Sequence, residues 1–239
     1  MPNDEGREMS VVDHLEELRL RLLISLAVVA AASVLCYIFS LDAIQFLTRG
    51  AGKIQYLGPT DAFMVRLKVS VIMGLAVSSP VVFWQLWLFV APGLYRNEKR
   101  YALPTIISAV VLFFGGGAFG VFTVPYALRV LQKFGGDVLQ ANYTVDRFIS
   151  FATGMILAFA VVFELPLVLI FLAKIGIVSH KMLSRSRKYV ILIIFAVSAV
   201  LTPGTDIVSM MIMAAPLYIL FEISLLIIRF IRPAESQRH

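Results

Sequence analysis

The residue with the most unusual chemical setting is an acid inside an apolar run. Glu164 lies in Ala160-Val161-Val162-Phe163-Glu164-Leu165-Pro166. Placing a carboxyl there costs roughly 2.5–3.5 kcal/mol on insertion scales, so such groups usually serve a polar substrate, a partner helix or a proton path. Pro166 removes a backbone donor close by and permits a kink. A hydrogen bond to a neighbouring helix is the plainer account of Glu164. Glu222, in the last apolar run, stands seven residues before Arg229 and suits pairing or snorkelling to the interface.

Two further acids sit in polar segments. Glu17 belongs to Ser10-Val11-Val12-Asp13-His14-Leu15-Glu16-Glu17-Leu18-Arg19-Leu20-Arg21. Val12, Leu15, Leu18 and Leu22 recur at helical spacing, which predicts an amphipathic helix on the membrane surface leading into the first span. Glu17 and Arg21 are i,i+4 partners, worth about 0.3–0.5 kcal/mol on an exposed helix. Glu98 is the single acid of the loop Pro92-Gly93-Leu94-Tyr95-Arg96-Asn97-Glu98-Lys99-Arg100. Local charge balance is a sufficient explanation for either acid taken alone.

Other chemistries lack their residues. The three histidines, His14, His180 and His239, fall outside the apolar runs, and there is no CxxC or HExxH pattern. No metal site, cofactor or hydrolase-type nucleophile–base pair is therefore expected. The single cysteine, Cys36, excludes an intramolecular disulfide and reads as a small buried apolar residue. There is no GxxxxGK[ST] loop, so ATP hydrolysis by this chain is not expected.

The elements that must position these acids are membrane spans. Of 239 residues, 59% are apolar and 15% charged, against about 45–50% and 25% in soluble proteins. Mean hydropathy is +0.87. A chain of this size cannot bury so much apolar surface in one aqueous core. This makes a soluble enzyme or a nucleic-acid-binding protein untenable, despite the net charge of +6. The apolar runs cover residues 22–41, 69–91, 104–128, 148–175, 190–201 and 207–228. They predict an all-α integral membrane protein forming one membrane domain with six transmembrane helices. A span takes about 20 residues. The fifth run is too short for that, and the sixth meets it with little to spare, so both helices are expected to be short. They read as a hairpin about Thr202-Pro203-Gly204-Thr205-Asp206, with Asp206 a simple helix N-cap.

With six spans, one side of the membrane holds fourteen Lys/Arg and the other seven. The positive-inside rule then places both termini in the cytoplasm. The acidic start lacks the basic region of a signal peptide, so the first span is expected to be retained. Trp84 and Trp87 share a face and read as packing or interface anchors. Gly115-Gly116-Gly117 permits a close helix contact or a flexible helix, and Met210, Met211 and Met213 read as bundle packing.

Several of these segments together resemble the TatC family, the multispanning subunit of the twin-arginine protein translocase. His14-Leu15-Glu16-Glu17-Leu18-Arg19 is similar to the family's HLxELR start. Ser79-Pro80 and the series Gln85, Trp87, Phe89, Pro92-Gly93-Leu94-Tyr95, Glu98-Lys99-Arg100 resemble its longest signature. Phe163-Glu164-Leu165-Pro166, Arg187-Lys188-Tyr189, Thr202-Pro203 with Asp206, and Phe221-Glu222-Ile223 follow in the family's order. The tip departs from the commoner TPPD, and Met210 stands where Gln is frequent.

The resemblance implies a glove-shaped bundle of six helices in the cytoplasmic (inner) membrane. It implies a non-enzymatic receptor for twin-arginine signal peptides of folded cargo, in a translocase driven by the proton-motive force. Glu17 and Glu98 stand where the family's arginine-reading carboxylates stand, with Arg19, Phe89 and Leu94 shaping the surface. Glu164 stands where the family meets its single-span partners TatA and TatB. Pro203 and Asp206 mark a possible functional hairpin tip. Membrane lipid and further TatC copies are the other implied partners, and nucleic acid is not one. The competing reading is a proton-coupled secondary transporter built on Glu164. It is weakened by the scarcity of other intramembrane charges and by the lack of a repeat between halves.

Overall fold

The structure is a computed structural model that describes residues 11–49, 54–90, 102–133, 143–201 and 207–230. Among these residues the fold is all-helical apart from one pair of two-residue strands. The first helix, α1 (Val11–Cys36), passes through a 3-10 turn (Tyr37–Phe39) into α2 (Ser40–Thr48). Then come β1 (Ile54–Gln55), α3 (Asp61–Val90) and α4 (Ala102–Lys133). They are followed by β2 (Tyr143–Thr144), α5 (Val145–Val162) and α6 (Leu165–Lys174). The chain closes with α7 (His180–Arg185), α8 (Arg187–Leu201) and α9 (Ile207–Phe230).

Five stretches are long and apolar enough to cross a membrane: Val12–Thr48, Asp61–Val90, Ala102–Gln132, Val145–Lys174 and Met210–Phe230. At 1.5 Å per residue, the 15 residues of α8 reach only about 22 Å, less than a hydrocarbon core of about 30 Å. The expectation that the last helix is also short needs correcting. The 24 residues of α9 reach about 36 Å. Its helix continues two residues past the apolar run, through Arg229 to Phe230, and Arg229 is exposed.

The core is centred on α5. Ile149, Ala152, Met155 and Phe159, with Met213 of α9, have no exposed surface, and Val65 and Val69 of α3 and Leu217 and Leu225 of α9 are almost as buried. Outside this core, large apolar side chains lie on the surface, among them Leu26, Val34, Val111, Leu192 and Leu226. A water-soluble protein does not present such a surface, whereas a bilayer-facing bundle does. Cys36 is buried, as its composition suggested.

Small residues set the tightest helix contacts. A Cβ on Gly116 would lie 2.5 Å from the Phe159 carbonyl oxygen, and one on Gly120 would lie 2.7 Å from Ile156 Cα. These two glycines form a GxxxG pair that brings α4 against the backbone of α5. The triple glycine expected to serve this purpose does so at only one position, since Gly115 faces open space and Gly117 barely touches Ile156. Gly74 plays the same part between α3 and α1, where an added Cβ would lie 2.6 Å from Ser33 Cα.

Prolines inside helices are accommodated locally. Pro80 cannot donate to the Ala76 carbonyl, and the Ser79 hydroxyl donates to that oxygen instead at 2.8 Å. Other hydroxyls of the spans also return to their own helix, as Ser33 does to Val29, Thr153 to Ile149 and Ser224 to Leu220. At one end of the bundle β1 pairs in parallel with β2, matching Ile54 with Tyr143. Nearby, Arg66 donates to Ser40 Oγ and the Tyr37 carbonyl and lies over the Tyr37 ring, bracing the turn from α1 to α2. Lys68 of α3 pairs with Asp146 and donates to Ser150 on α5.

Gly116→Leu and Gly120→Leu are each expected to destabilise the bundle by about 1–3 kcal/mol, because overpacking must push α4 away from α5. Gly115→Ala is expected to leave the thermal midpoint of the detergent-solubilised protein unchanged or slightly raised. Equal loss at all three positions would show that backbone flexibility, not contact, is what the glycines supply.

Candidate functional site

The N-terminal half of α1 lies along the last turns of α3. His14, Glu17 and Arg21 follow one another at i, i+3 and i+7, so they share one face of α1. Gln85 and Phe89 are four apart on α3. The two faces meet: the His14 and Phe89 rings stack at 4.3 Å with planes 13° apart. Arg21 Nη2 donates to Glu17 Oε1 at 3.1 Å, and Arg21 Nη1 donates to Gln85 Oε1, also at 3.1 Å. The Glu17 and Arg21 side chains keep only 18% and 25% of their surface exposed. Arg21 Nε is buried and has no acceptor among the described residues. The result is a carboxylate and an aromatic ring displayed together at one end of the bundle, each braced by a neighbour.

The entry segment expected to be an amphipathic helix is helical and runs without a break into the span. Residues 11–36 form one continuous helix with the span, and the apolar stripe does not face the protein. Val12, Leu15, Leu18 and Leu22 are all exposed, while the polar face packs on α3. The reason is the stacked ring and the forked guanidinium, which give the polar face specific partners that the leucines lack. Arg19 is exposed. Trp84 and Trp87 also divide, since Trp84 is exposed while Trp87 is buried edge-on against Phe171 of α6. Met213 is buried and Met211 exposed, so only part of the methionine cluster packs. His14 and Gln85 were not among the expected site residues. Their signal was present in the i,i+3,i+7 and i,i+4 spacings. Leu94, Glu98, Pro203 and Asp206 lie outside the described residues.

Glu164 occupies a different place, the junction of α5 and α6. The helix tightens there: Phe163 N–H donates to Phe159 at 2.9 Å, but Glu164 N–H donates to Val161, three residues back. Pro166 has no N–H to offer the Val162 carbonyl, which is why α5 stops at Val162 and α6 starts afresh. The carboxyl therefore stands at the N-terminus of α6, where the helix dipole favours an acid. It makes no capping bond, and its Oε1 is buried with no donor among the described residues. Among the described residues, no neighbouring helix satisfies that atom. Glu222, by contrast, is fully engaged, with Arg187 donating from Nη2 at 3.0 Å and Tyr218 from its hydroxyl at 3.0 Å. It ties α8 to α9.

No group of three or more metal-binding side chains occurs among the described residues. The chain has relatives among known proteins. A family model described as Sec-independent protein translocase protein (TatC) matches residues 13–216. The chain belongs to the TatC family. A protein of Carboxydothermus hydrogenoformans named Sec-independent protein translocase protein TatC is 41% identical over 236 residues, covering 97% of each chain. Its namesake from Helicobacter pylori is 40% identical over 223 residues, covering 92% of this chain and 89% of its own. Two crystal structures titled twin arginine translocase receptor TatC, one of them in the detergent DDM, superpose with TM-scores of 0.81 and 0.82 at 33% identity. Each covers 90% of this chain and at least 98% of its own. As a TatC family member, the chain is a multi-pass membrane protein and a component of a protein translocase, not an enzyme.

The Arg187–Glu222 pair is half exposed, at 47% and 28% for the two side chains. A double-mutant cycle on Arg187→Gln and Glu222→Gln, read by thermal unfolding, is expected to give a coupling below about 1 kcal/mol. A much larger coupling would mark the α8–α9 contact as a principal support of the bundle.

Proposed function

We propose that this chain is a receptor for twin-arginine signal peptides and the assembly core of a translocase that exports folded proteins. The observation that carries the reading is the Glu17 carboxylate, held by Arg21 one helical turn from the His14–Phe89 stack where α1 meets α3. Eight residues past the end of α3 the sequence supplies Glu98. A guanidinium takes a carboxylate as a planar two-point fork, which a lysine ammonium cannot reproduce. Two acids suit two consecutive arginines, and Arg19, Phe89 and Leu94 are the further residues of this chain assigned to that recognition. The solved relatives' title of receptor agrees with this reading.

On this reading the chain is one membrane domain with six transmembrane helices in a glove-shaped bundle in the cytoplasmic (inner) membrane. α8 crosses where the bilayer is thinned, and both termini lie in the cytoplasm. Transport is driven by the proton-motive force. Glu164, braced at the α5–α6 junction with an open acceptor, meets a polar group on a single-span partner of the TatA or TatB type. Pro203 and Asp206 form a functional tip between α8 and α9. Further copies of the chain and membrane lipid complete the assembly. A proton-coupled transporter built on Glu164 is the weaker reading, because the family is one of protein translocase components.

The decisive measurement is the affinity of the detergent-purified protein for an Arg-Arg signal peptide and its Lys-Lys version. The Arg-Arg peptide is expected to bind at least about tenfold more tightly, the order of one good charged hydrogen bond. That preference is expected to vanish in the Glu17→Gln/Glu98→Gln protein. Equal binding of both peptides would return the two acids to surface charge balance.

Glu164→Ala is expected to insert and fold normally, with the thermal midpoint kept or raised because an unsatisfied buried acceptor is removed. Export and crosslinking to a single-span partner are expected to fall. Normal export with normal crosslinking would remove Glu164 from the partner contact.

A further inference from the structure

The i,i+4 pair at the candidate site is more than a local helix contact. Arg21 reaches Glu17 with one nitrogen, Nη2, and touches one carboxylate oxygen, Oε1. Its other terminal nitrogen, Nη1, is held across the helix interface by Gln85. Its Nε is buried and has no acceptor among the described residues. A guanidinium has five donors in a fixed fork. Here that fork is stretched between two helices, makes a one-point contact with an acid built for a two-point one, and leaves a donor unused. An incoming arginine free to align with the carboxylate makes the better bond.

We propose that Arg21 is an intramolecular placeholder for the ligand's arginine. In the absence of peptide it occupies Glu17. An arriving arginine displaces it, and Gln85 retains the displaced guanidinium through Nη1. The inference rests on Glu17 being a peptide-binding carboxylate, as proposed above.

Two consequences follow from the exchange. Glu17, only 18% exposed, never stands partly buried and unpaired, so the site does not collapse onto itself between ligands. Binding swaps one arginine–glutamate pair for another, so it stays readily reversible, and Arg21 recloses on the acid as the peptide leaves. Competition of this kind lowers the affinity of every Glu17 ligand by the same factor. For a partly exposed pair that factor is about two- to sixfold. The placeholder therefore sets the threshold of binding and leaves the preference for arginine over lysine to the geometry of the fork.

The test is equilibrium binding of a fluorescent twin-arginine peptide to the full-length, detergent-solubilised protein in four forms: wild type, Arg21→Gln, Glu17→Gln and the double variant. Arg21→Gln is expected to tighten binding about two- to sixfold, and to have no effect in the Glu17→Gln background, where there is no carboxylate to compete for. Tightening of equal size in both backgrounds would make Arg21 a general repulsive charge and overturn the proposal. Weaker binding would make it an orienting residue for Glu17, and unchanged binding a bystander; either overturns it. Should Arg21→Gln fail to fold, Arg21→Lys takes its place, since it keeps the charge but not the fork. It is expected to give a smaller tightening that also disappears with Glu17→Gln, and no tightening would overturn the proposal. The receptor reading fails separately and visibly if Glu17→Gln alone binds the peptide as well as wild type.

Discussion

No water is available to a polar group in the hydrocarbon of a bilayer, and this constraint organises the molecule. Each backbone donor and acceptor must be satisfied within the protein, which is why long helices account for nearly all the described residues. The side chains obey the same demand. Ser33, Thr153 and Ser224 turn their hydroxyls back onto their own helices. Where Pro80 breaks the ladder, the adjacent Ser79 repairs it. With backbone polarity settled inside each helix, little remains to drive helices together except close packing. Gly116, Gly120 and Gly74 supply it by letting backbones approach where any larger side chain would collide.

Against that background the unsatisfied atoms stand out. Among the described residues, Glu164 keeps an acceptor and Arg21 a donor without a hydrogen-bonding partner, although both atoms are buried. The two cases arise differently. Glu164 is stranded by the backbone, because Pro166 ends one helix and begins the next around it. Arg21 has its two terminal nitrogens taken by Gln85 and Glu17, and its Nε is left without an acceptor among the described residues. Glu222 is the contrasting case of an acid in a helix whose two oxygens are both used, one by Arg187 and one by Tyr218. Its work is structural, holding α8 to α9, whereas the other two groups each keep one buried atom without a partner among the described residues.

The ends of the bundle are held differently from its middle. At one end, Lys68 and Arg66 fasten α3 to α5 and to the turn between α1 and α2, and the short β1–β2 pairing joins two connecting segments. At the other, a ring stack and a forked arginine hold α1 on α3. Charged contacts of this kind suit the interfaces, where water lowers the cost of an imperfect pair. The middle relies on glycine contacts and on the apolar core of α5, so that middle is where overpacking has its largest effect.

Composition and run length were enough to determine that this is a helical membrane protein, where most spans lie, and that the fifth apolar run is too short to cross at full thickness. The order of short motifs was enough to suggest the family. Those properties are one-dimensional: hydrophobicity summed along a segment, and residues at fixed spacing. The tertiary structure decided which face of each helix turns inward. It sent the polar stripe of α1, not its leucines, against α3, because His14 and Arg21 find matched partners in Phe89 and Gln85. It separated Trp84 from Trp87 and chose Gly116 and Gly120 over Gly115 and Gly117. In water the apolar face must be the buried one, so periodicity predicts orientation. In lipid both faces of a span have an apolar neighbour available, and only specific contacts between helices decide which face is used.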